Sequence, residues 1–331
     1  MTSTPSANAL PSVTAPSVTV TVLTYNGDRY LDDILTAIEA QQYAGAVDVL
    51  VIDSGSTDGT LGIVAAHPTV RLHEIPNSEF GHGKTRDLAA NLATGDIVAY
   101  LTHDAIPASP HWLSALVAPM ADDERIVAVL GSQLPRPGCH PMLKYEIRSV
   151  FASLGPTTGT TVFRDDGRFA SRGELEAAAF YSDVNAAARR DVLTGPVPYR
   201  HVSYAEDQMF GRDLLDAGFR KAYAPTAAVI HSNDLSVAEA YDRAIDEVVG
   251  VRKIGTVVPV LRRRDVARLA VRGSLLDGAR ILTDREFGIR SKAKWFFVNP
   301  AYQWSKWRGQ RVGTLAIVEV EAAALAPRPA R

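Results

Sequence analysis

One cysteine, Cys139, stands in 331 residues. This excludes an internal disulfide framework and any metal site built from several thiolates. The thiol reads as an unpaired, buried or partly buried side chain. Long apolar runs are missing too. No stretch reaches the roughly 18 apolar residues that a membrane-spanning helix needs, so any membrane role is played from the surface. The first sixteen residues, "MTSTPSANALPSVTAP", lack the basic start and apolar core of a signal peptide. A flexible tail on a cytoplasmic chain is expected. Excess charge is small, with 35 Lys and Arg against 37 Asp and Glu, so any charged surface must be local.

What is present is alternation. "VTVTVLTYN" is β-branched and apolar, and "DRYLDDILTAIEAQ" places Leu31, Ile34, Leu35 and Ile38 at helical spacing. Strand-like "VDVLVID" and "TVRLHEI", the helix "GKTRDLAANLA", the strand "DIVAYL", the helix "PHWLSALVAPM" and the strand "IVAVLGS" continue the pattern. Such alternation predicts βαβ units and a mainly parallel sheet with helices on both faces. From Gly131 to Tyr181 the pattern loosens around one helix, "MLKYEIRSVFASL". The segments "SYAEDQMFGRDLLDAG" and "KAYAPTAAVIH" then restore a helix and a strand. After about Ser236 the chain becomes helical and basic, ending in an Ala/Pro tail.

Ligands of open parallel sheets bind beyond the carboxyl ends of the strands, and polar residues gather there. The first strand ends in Thr24-Tyr25-Asn26, the second in Asp53, and the fourth in Thr102-His103-Asp104. Either carboxylate alone reads equally well as a turn-forming Asp bonded to its own backbone. Two at matching ends favour a site. "GKT" at residues 83–85 is no phosphate-binding P-loop, because Ser78 stands where that motif needs glycine. Lys84 and Arg86 still occupy a helix first turn, where backbone N–H groups bind anions, although both cations fit a solvated face as well. Ser203 and Glu206 fit a capping box, which accounts for Glu206 without catalysis. Asp207 is left over as a first-turn carboxylate. His231 closes the last strand; it reads as a satisfied polar group or, with Asp104, as a ligand for Mn²⁺ or Mg²⁺.

Four blocks, "VTVLTYNGDRYLDDILTAI", "VLVIDSGSTDGT", "RDLAANLATGDIVAYLTHDAIP" and "AEDQMFGRDLLDAGFRKAYAPTAAVIHS", resemble family-2 glycosyltransferases of the GT-A fold, in the family's order. "EFGHGKTRDLAA" and "LTHDA" resemble the bacterial rhamnosyltransferase branch that uses dTDP-β-L-rhamnose. The resemblance implies inverting transfer onto a hydroxyl of a cell-surface polysaccharide or lipid-linked glycan. It implies that Asp53, Thr24 and Asn26 hold the nucleotide base and that Arg86 helps hold the nucleotide. Asp104 and His231 would hold a divalent metal, and Asp207 would be the general base. His103, Lys84, Glu206 and Asn185 join as further donor or acceptor residues. Two departures stand out: Thr102 replaces the first Asp of D-x-D, and His231-Ser232-Asn233 replaces H-S-H. The implied organisation is a catalytic domain over 17–235, with a nucleotide-binding half (17–132) and an acceptor half (133–235). A helical basic region over 236–318 and a second flexible tail over 319–331 follow. A UDP-hexose donor and a catalytically silent nucleotide-binding module are the alternatives.

From Val251 to Arg311, fifteen Lys and Arg face four Asp and Glu, and Trp295, Trp304 and Trp307 lie among them. Basic and aromatic residues interleaved in this way suit a membrane interface, at the inner face of the cell membrane. A solvated appendage or a homodimer contact fits as well, whereas nucleic acid would require a reader motif that is missing.

Overall fold

A computed structural model describes residues 15–165, 172–232 and 236–327. The first half runs β1 (Val18–Thr24), α1 (Leu31–Glu39), β2 (Val47–Asp53), α2 (Thr60–Ala66), β3 (Val70–Glu74), α3 (His82–Leu92) and β4 (Ile97–Thr102). Next come β5 (Ile106–Pro107), α4 (Trp112–Asp122), β6 (Ile126–Leu134), α5 (Pro141–Leu154) and β7 (Thr161–Phe163). The domain closes with α6 (Arg172–Ala179), β8 (Asn185–Arg189), α7 (Arg190–Leu193), α8 (Glu206–Asp216) and β9 (Arg220–Ile230). Three helices follow: α9 (Val237–Lys253), α10 (Arg263–Thr283) and α11 (Ile289–Leu315).

Among the described residues, nine strands form one sheet in the order β3-β2-β1-β4-β8-β6-β9-β5, with β7 on β9. The β3-β2-β1-β4 half is parallel, as the alternation predicts. Beyond it, β8 enters antiparallel between β4 and β6. This mixed pairing has no trace in the periodicity, because a buried strand is apolar on both faces whichever way it runs. Side chains of a strand point alternately to opposite faces, so the sheet has two cores. Val49 and Val51 pack with α1 and α4, while Leu50 and Ile52 pack with α3, α5 and α8.

α9 begins at a capping box, with Glu239 N donating to Ser236 Oγ (3.3 Å) and Ser236 N donating to Glu239 Oε2 (2.8 Å). α11 packs tightly on α9, since a Cβ at Gly309 would fall 2.3 Å from the Tyr241 carbonyl oxygen. Buried Lys144 of α5 ties this region to the sheet domain through Asp284 (2.7 Å) and Glu286 (2.8 Å).

One expectation lies outside the described residues, and one changes. The 1–16 tail lies outside the described residues except Ala15 and Pro16. The 319–331 segment is not loose over its described part: Arg200 donates to the Ala326 carbonyl (2.9 Å) and Ser203 N to Glu321 (2.9 Å). Of the tryptophans offered to a membrane, only Trp304 is exposed. Trp295 packs on His140 with ring centroids 5.5 Å apart, and Trp307 is half-buried. Among the described residues, no helix is long and apolar enough to cross a membrane.

Candidate active site

The strand ends open onto a cavity of about 850 Å³ between the sheet domain, α5 and α9. Thr24, Arg86, His103, Asp104, Glu206, Asp207 and His231 all line it; Asn26, Asp53, Lys84 and Asn185 do not.

At the end of β1, Thr24 is buried and its hydroxyl has no hydrogen-bond partner among the described residues. Asn26 takes the left-handed φ of 48°, which Asn tolerates better than most residues. Its Oδ1 accepts from Thr57 N (2.9 Å). Asp53 Oδ1 accepts from Gly55 N and Ser56 N, both 2.9 Å away, and its Oδ2 accepts the Ser56 hydroxyl. Both carboxylate oxygens of Asp53 therefore build their own loop, the turn-forming alternative, and Asn26 pins that loop to β1. Neither side chain reaches the cavity in this conformation.

At the end of β4, Thr102 Oγ1 donates to Asp104 Oδ1 (2.7 Å), and His231 Nε2 lies 3.2 Å from Asp104 Oδ2. Gln133 Oε1 bonds the other ring nitrogen of His231 at 2.9 Å and fixes the imidazole plane. Burial pushes the Asp104 carboxyl up, but the hydrogen bond and charge of His231, with Thr102, outweigh it. Asp104 is therefore held well below the usual carboxylate range and stays ionised. Arg136 clamps the loop, donating to the Asp104 carbonyl while stacking 4.0 Å from the Tyr30 ring centroid. A carboxylate oxygen and an imidazole nitrogen converging at one point fit a hard or borderline divalent cation. Among the described residues no three such groups cluster, so water and donor oxygens would complete the ligand set.

The third wall is the start of α8, and here the capping box fails. Ser203 bonds Glu321, the N-cap is Ala205 at φ 55°, and no side chain caps the helix. Glu206 instead ion-pairs with Arg86 Nη1, whose Nε lies 2.9 Å from Asp183 Oδ2. Tyr199 OH donates to Asp183 Oδ1 (2.8 Å). A buried guanidinium needs counter-charge more strongly than a helix end needs a cap, which explains the diversion. Arg86 is thus engaged by two carboxylates and not presented freely to a nucleotide. Burial works to lower its pKa, but the two carboxylates prevail and keep it charged.

Asp207 follows in the same helix turn. Burial, then the charges of Glu206 and Asp183, push its carboxyl well above the usual range, opposed by Arg86. One cation faces three carboxylates, so the last proton is held firmly. Asp183, buried beside Arg86, is itself pushed up to about 6, chiefly by desolvation.

Two further expectations are corrected. Asn185 is buried, takes the Trp112 indole N–H (2.9 Å), and donates to the Ser132 (2.9 Å) and Ala227 (2.7 Å) carbonyls. It is a core residue with its hydrogen bonds filled. Lys84 is exposed on α3, and the adjacent glycine serves packing, since a Cβ at Gly83 would fall 2.1 Å from the Arg200 carbonyl oxygen. Sequence reasoning missed Asp183, Gln133, Arg136 and Tyr199. Asp183 sits in "YSDVN", where a lone Asp before a strand reads as a turn.

A mixed sheet covered by helices, with a cavity lined partly by carboxylates at its strand ends, fits the GT-A fold that the resemblance implies. The model of the family "Glycosyl transferase family 2" matches residues 19–194, and the chain belongs to that family. It is 29% identical over 235 residues to the O-antigen chain rhamnosyltransferase RfbN of Salmonella typhimurium, covering 69% of this chain and 70% of that one. To the O-antigen chain rhamnosyltransferase WbaN of Salmonella anatum it is 30% identical, covering 70% and 71%. Among solved structures, the mannosyltransferase PcManGT from Pyrobaculum calidifontis, in complex with GDP-Man and Mn²⁺, shares the fold. The TM-score is 0.54 at 19% identity, over 94% of this chain and 90% of that one.

Proposed function

We propose that the protein is an inverting rhamnosyltransferase. It moves L-rhamnose from dTDP-β-L-rhamnose onto a hydroxyl of a cell-surface polysaccharide or lipid-linked glycan, on the cytoplasmic side. The observation that carries the reading is a pair of carboxylates in one cavity pushed in opposite directions. Asp104 is held ionised, and Asp207 is made a stronger base than an ordinary carboxylate. Opposed environments of this kind separate the roles of two acids. The likeness to two O-antigen rhamnosyltransferases supports the sugar.

In this reading Asp104 and His231 hold Mn²⁺ or Mg²⁺, which when bound offsets the charge of the leaving diphosphate. Asp207 takes the acceptor hydroxyl proton as that oxygen bonds the anomeric carbon and the bond to the diphosphate breaks. The unpartnered Thr24 hydroxyl gives the nucleotide end a ready hydrogen bond. Asp53 and Asn26 act indirectly, by shaping the loop beside it, and Arg86 by neutralising Glu206 and Asp183.

A donor panel of dTDP-rhamnose, UDP-glucose, UDP-galactose and UDP-GlcNAc, each with and without Mn²⁺ or Mg²⁺, tests the proposal. Metal-dependent transfer from dTDP-rhamnose alone is expected; preference for a UDP-sugar would overturn the donor, and binding of none would overturn the enzyme. Asp207→Asn should reduce transfer by about 10²–10⁴-fold with donor binding retained. Normal turnover in that variant would remove Asp207 as base.

A further inference from the structure

The outward faces of α10 and α11 combine apolar exposure with positive charge. On α10, Arg264, Arg268, Val271, Arg272, Leu275 and Leu282 recur at helical spacing on the side away from buried Val266, Ala270 and Ile281. Val271 is 60% exposed and Leu275 70%. Ala267, Val271, Leu275 and Leu276 form a shallow groove flanked by Arg268 and Arg272. The carboxylates of α10 lie off this stripe: Asp265 caps the helix start, reaching Arg268 only at 3.9 Å, and Asp277 is buried against Gln303. α11 carries no acidic residue among its 27 positions. It exposes Ile289 (85%) and Phe297 (79%), with Trp304, Arg290, Lys294 and Arg308 on the same outward side.

Exposed apolar side chains in such density mark a contact surface, and the charge selects the contact. A second copy laid face to face would set arginines against arginines, with no carboxylate on either stripe to match them. An anionic bilayer meets both requirements, headgroups taking the cations while the aliphatic and aromatic tips enter the acyl boundary. At 21 residues, α10 is about 30 Å long, enough to lie in the interface along several headgroups. We infer that the outward face of α10 and α11 docks the protein on an anionic lipid surface, through its arginines and aliphatic residues more than through its tryptophans. The docking is independent of which sugar is transferred.

The test is sedimentation of the full chain with phosphatidylglycerol–phosphatidylcholine vesicles and with phosphatidylcholine alone. Binding to the anionic vesicles is expected, falling as added salt shortens the screening length. Replacing three arginines together, Arg264→Gln, Arg268→Gln and Arg272→Gln, should weaken the partition on the order of a hundredfold. Leu275→Ser with Leu282→Ser should weaken it by about tenfold or more. All five positions are exposed, so circular dichroism and donor binding should match wild type, separating lost docking from lost folding. Equal binding to both vesicle types, or variants that pellet like wild type, would overturn the inference. So would light scattering showing a lipid-free dimer that the arginine variant dissolves, since the face would then join two copies.

Discussion

The clearest handle on the site is Glu206, whose charge, after burial, contributes most to the raised proton affinity of Asp207. Glu206→Gln removes that charge and leaves Arg86 paired with Asp183. At an effective dielectric of about 20, unit charges about 6 Å apart interact by roughly 3 kcal/mol, or about two pH units. Arg86 already offsets part of the Glu206 charge, so a shift of about one unit is expected. The sign is fixed: a base works deprotonated, so activity is lost as pH falls through its raised pKa. Removing a neighbouring negative charge moves that limb to lower pH. The assay is kcat/KM against pH for both proteins, which reports the groups of the free enzyme. Wild type should show an acid limb well above the ordinary carboxylate range, and Glu206→Gln the same limb about one unit lower. Its plateau should be lower too, because a weaker base accepts the acceptor proton less readily. Superimposable profiles, or a wild-type limb at an ordinary carboxylate pKa, would refute the coupling and with it the assignment of Asp207.

Arg86→Leu strands buried Asp183 and Glu206 without their cation and should cost about 3–5 kcal/mol in urea unfolding at neutral pH. The Asp183 carboxyl is pushed up to about 6 even with Arg86 lowering it, so without Arg86 it takes its proton at higher pH still, and the deficit should shrink as pH falls toward about 6; a pH-independent deficit would count against the network. Asn185→Ala leaves the Trp112 N–H and two carbonyls unsatisfied and should lose about 2–4 kcal/mol, while the activity of the folded fraction at low temperature stays near wild type. Lost activity at intact stability would return Asn185 to the site. Ala205→Gly relieves a left-handed non-glycine residue and should gain about 0.5–1 kcal/mol, read as a raised urea midpoint. A lowered midpoint would show that the α8 start is built differently.

Much of the scaffold was legible because strand and helix periods are local properties. β1 to β4 and β6, with helices α1, α3 and α4, follow from apolar spacing within a dozen residues, whereas the short α2 and the two-residue β5 do not. The antiparallel insertion of β8 depends on partners more than fifty residues away, which spacing does not record. The site divides along the same line. Asp104 and His231 were readable because each ends a strand on the cavity side, and a parallel sheet sends such ends to one crevice. Asp53 ends a strand too, but its own loop holds both oxygens, Oδ1 through the backbone N–H groups of Gly55 and Ser56 and Oδ2 through the Ser56 hydroxyl, so position at a strand end does not by itself deliver a side chain to a ligand.

Glu206 failed in the opposite direction, because the S-x-x-E pattern promised it a local partner. The partner it takes is Arg86, 120 positions away. The capping rule and the burial rule competed for one carboxylate, and burial won because an unpaired guanidinium in the interior costs several kcal/mol, against about 1 kcal/mol for a missing cap. The same competition shapes the surroundings of Asp207. Had Glu206 capped α8, Arg86 would have one less counter-charge. The uncapped helix start therefore goes with the buried charge cluster that raises the proton affinity of Asp207.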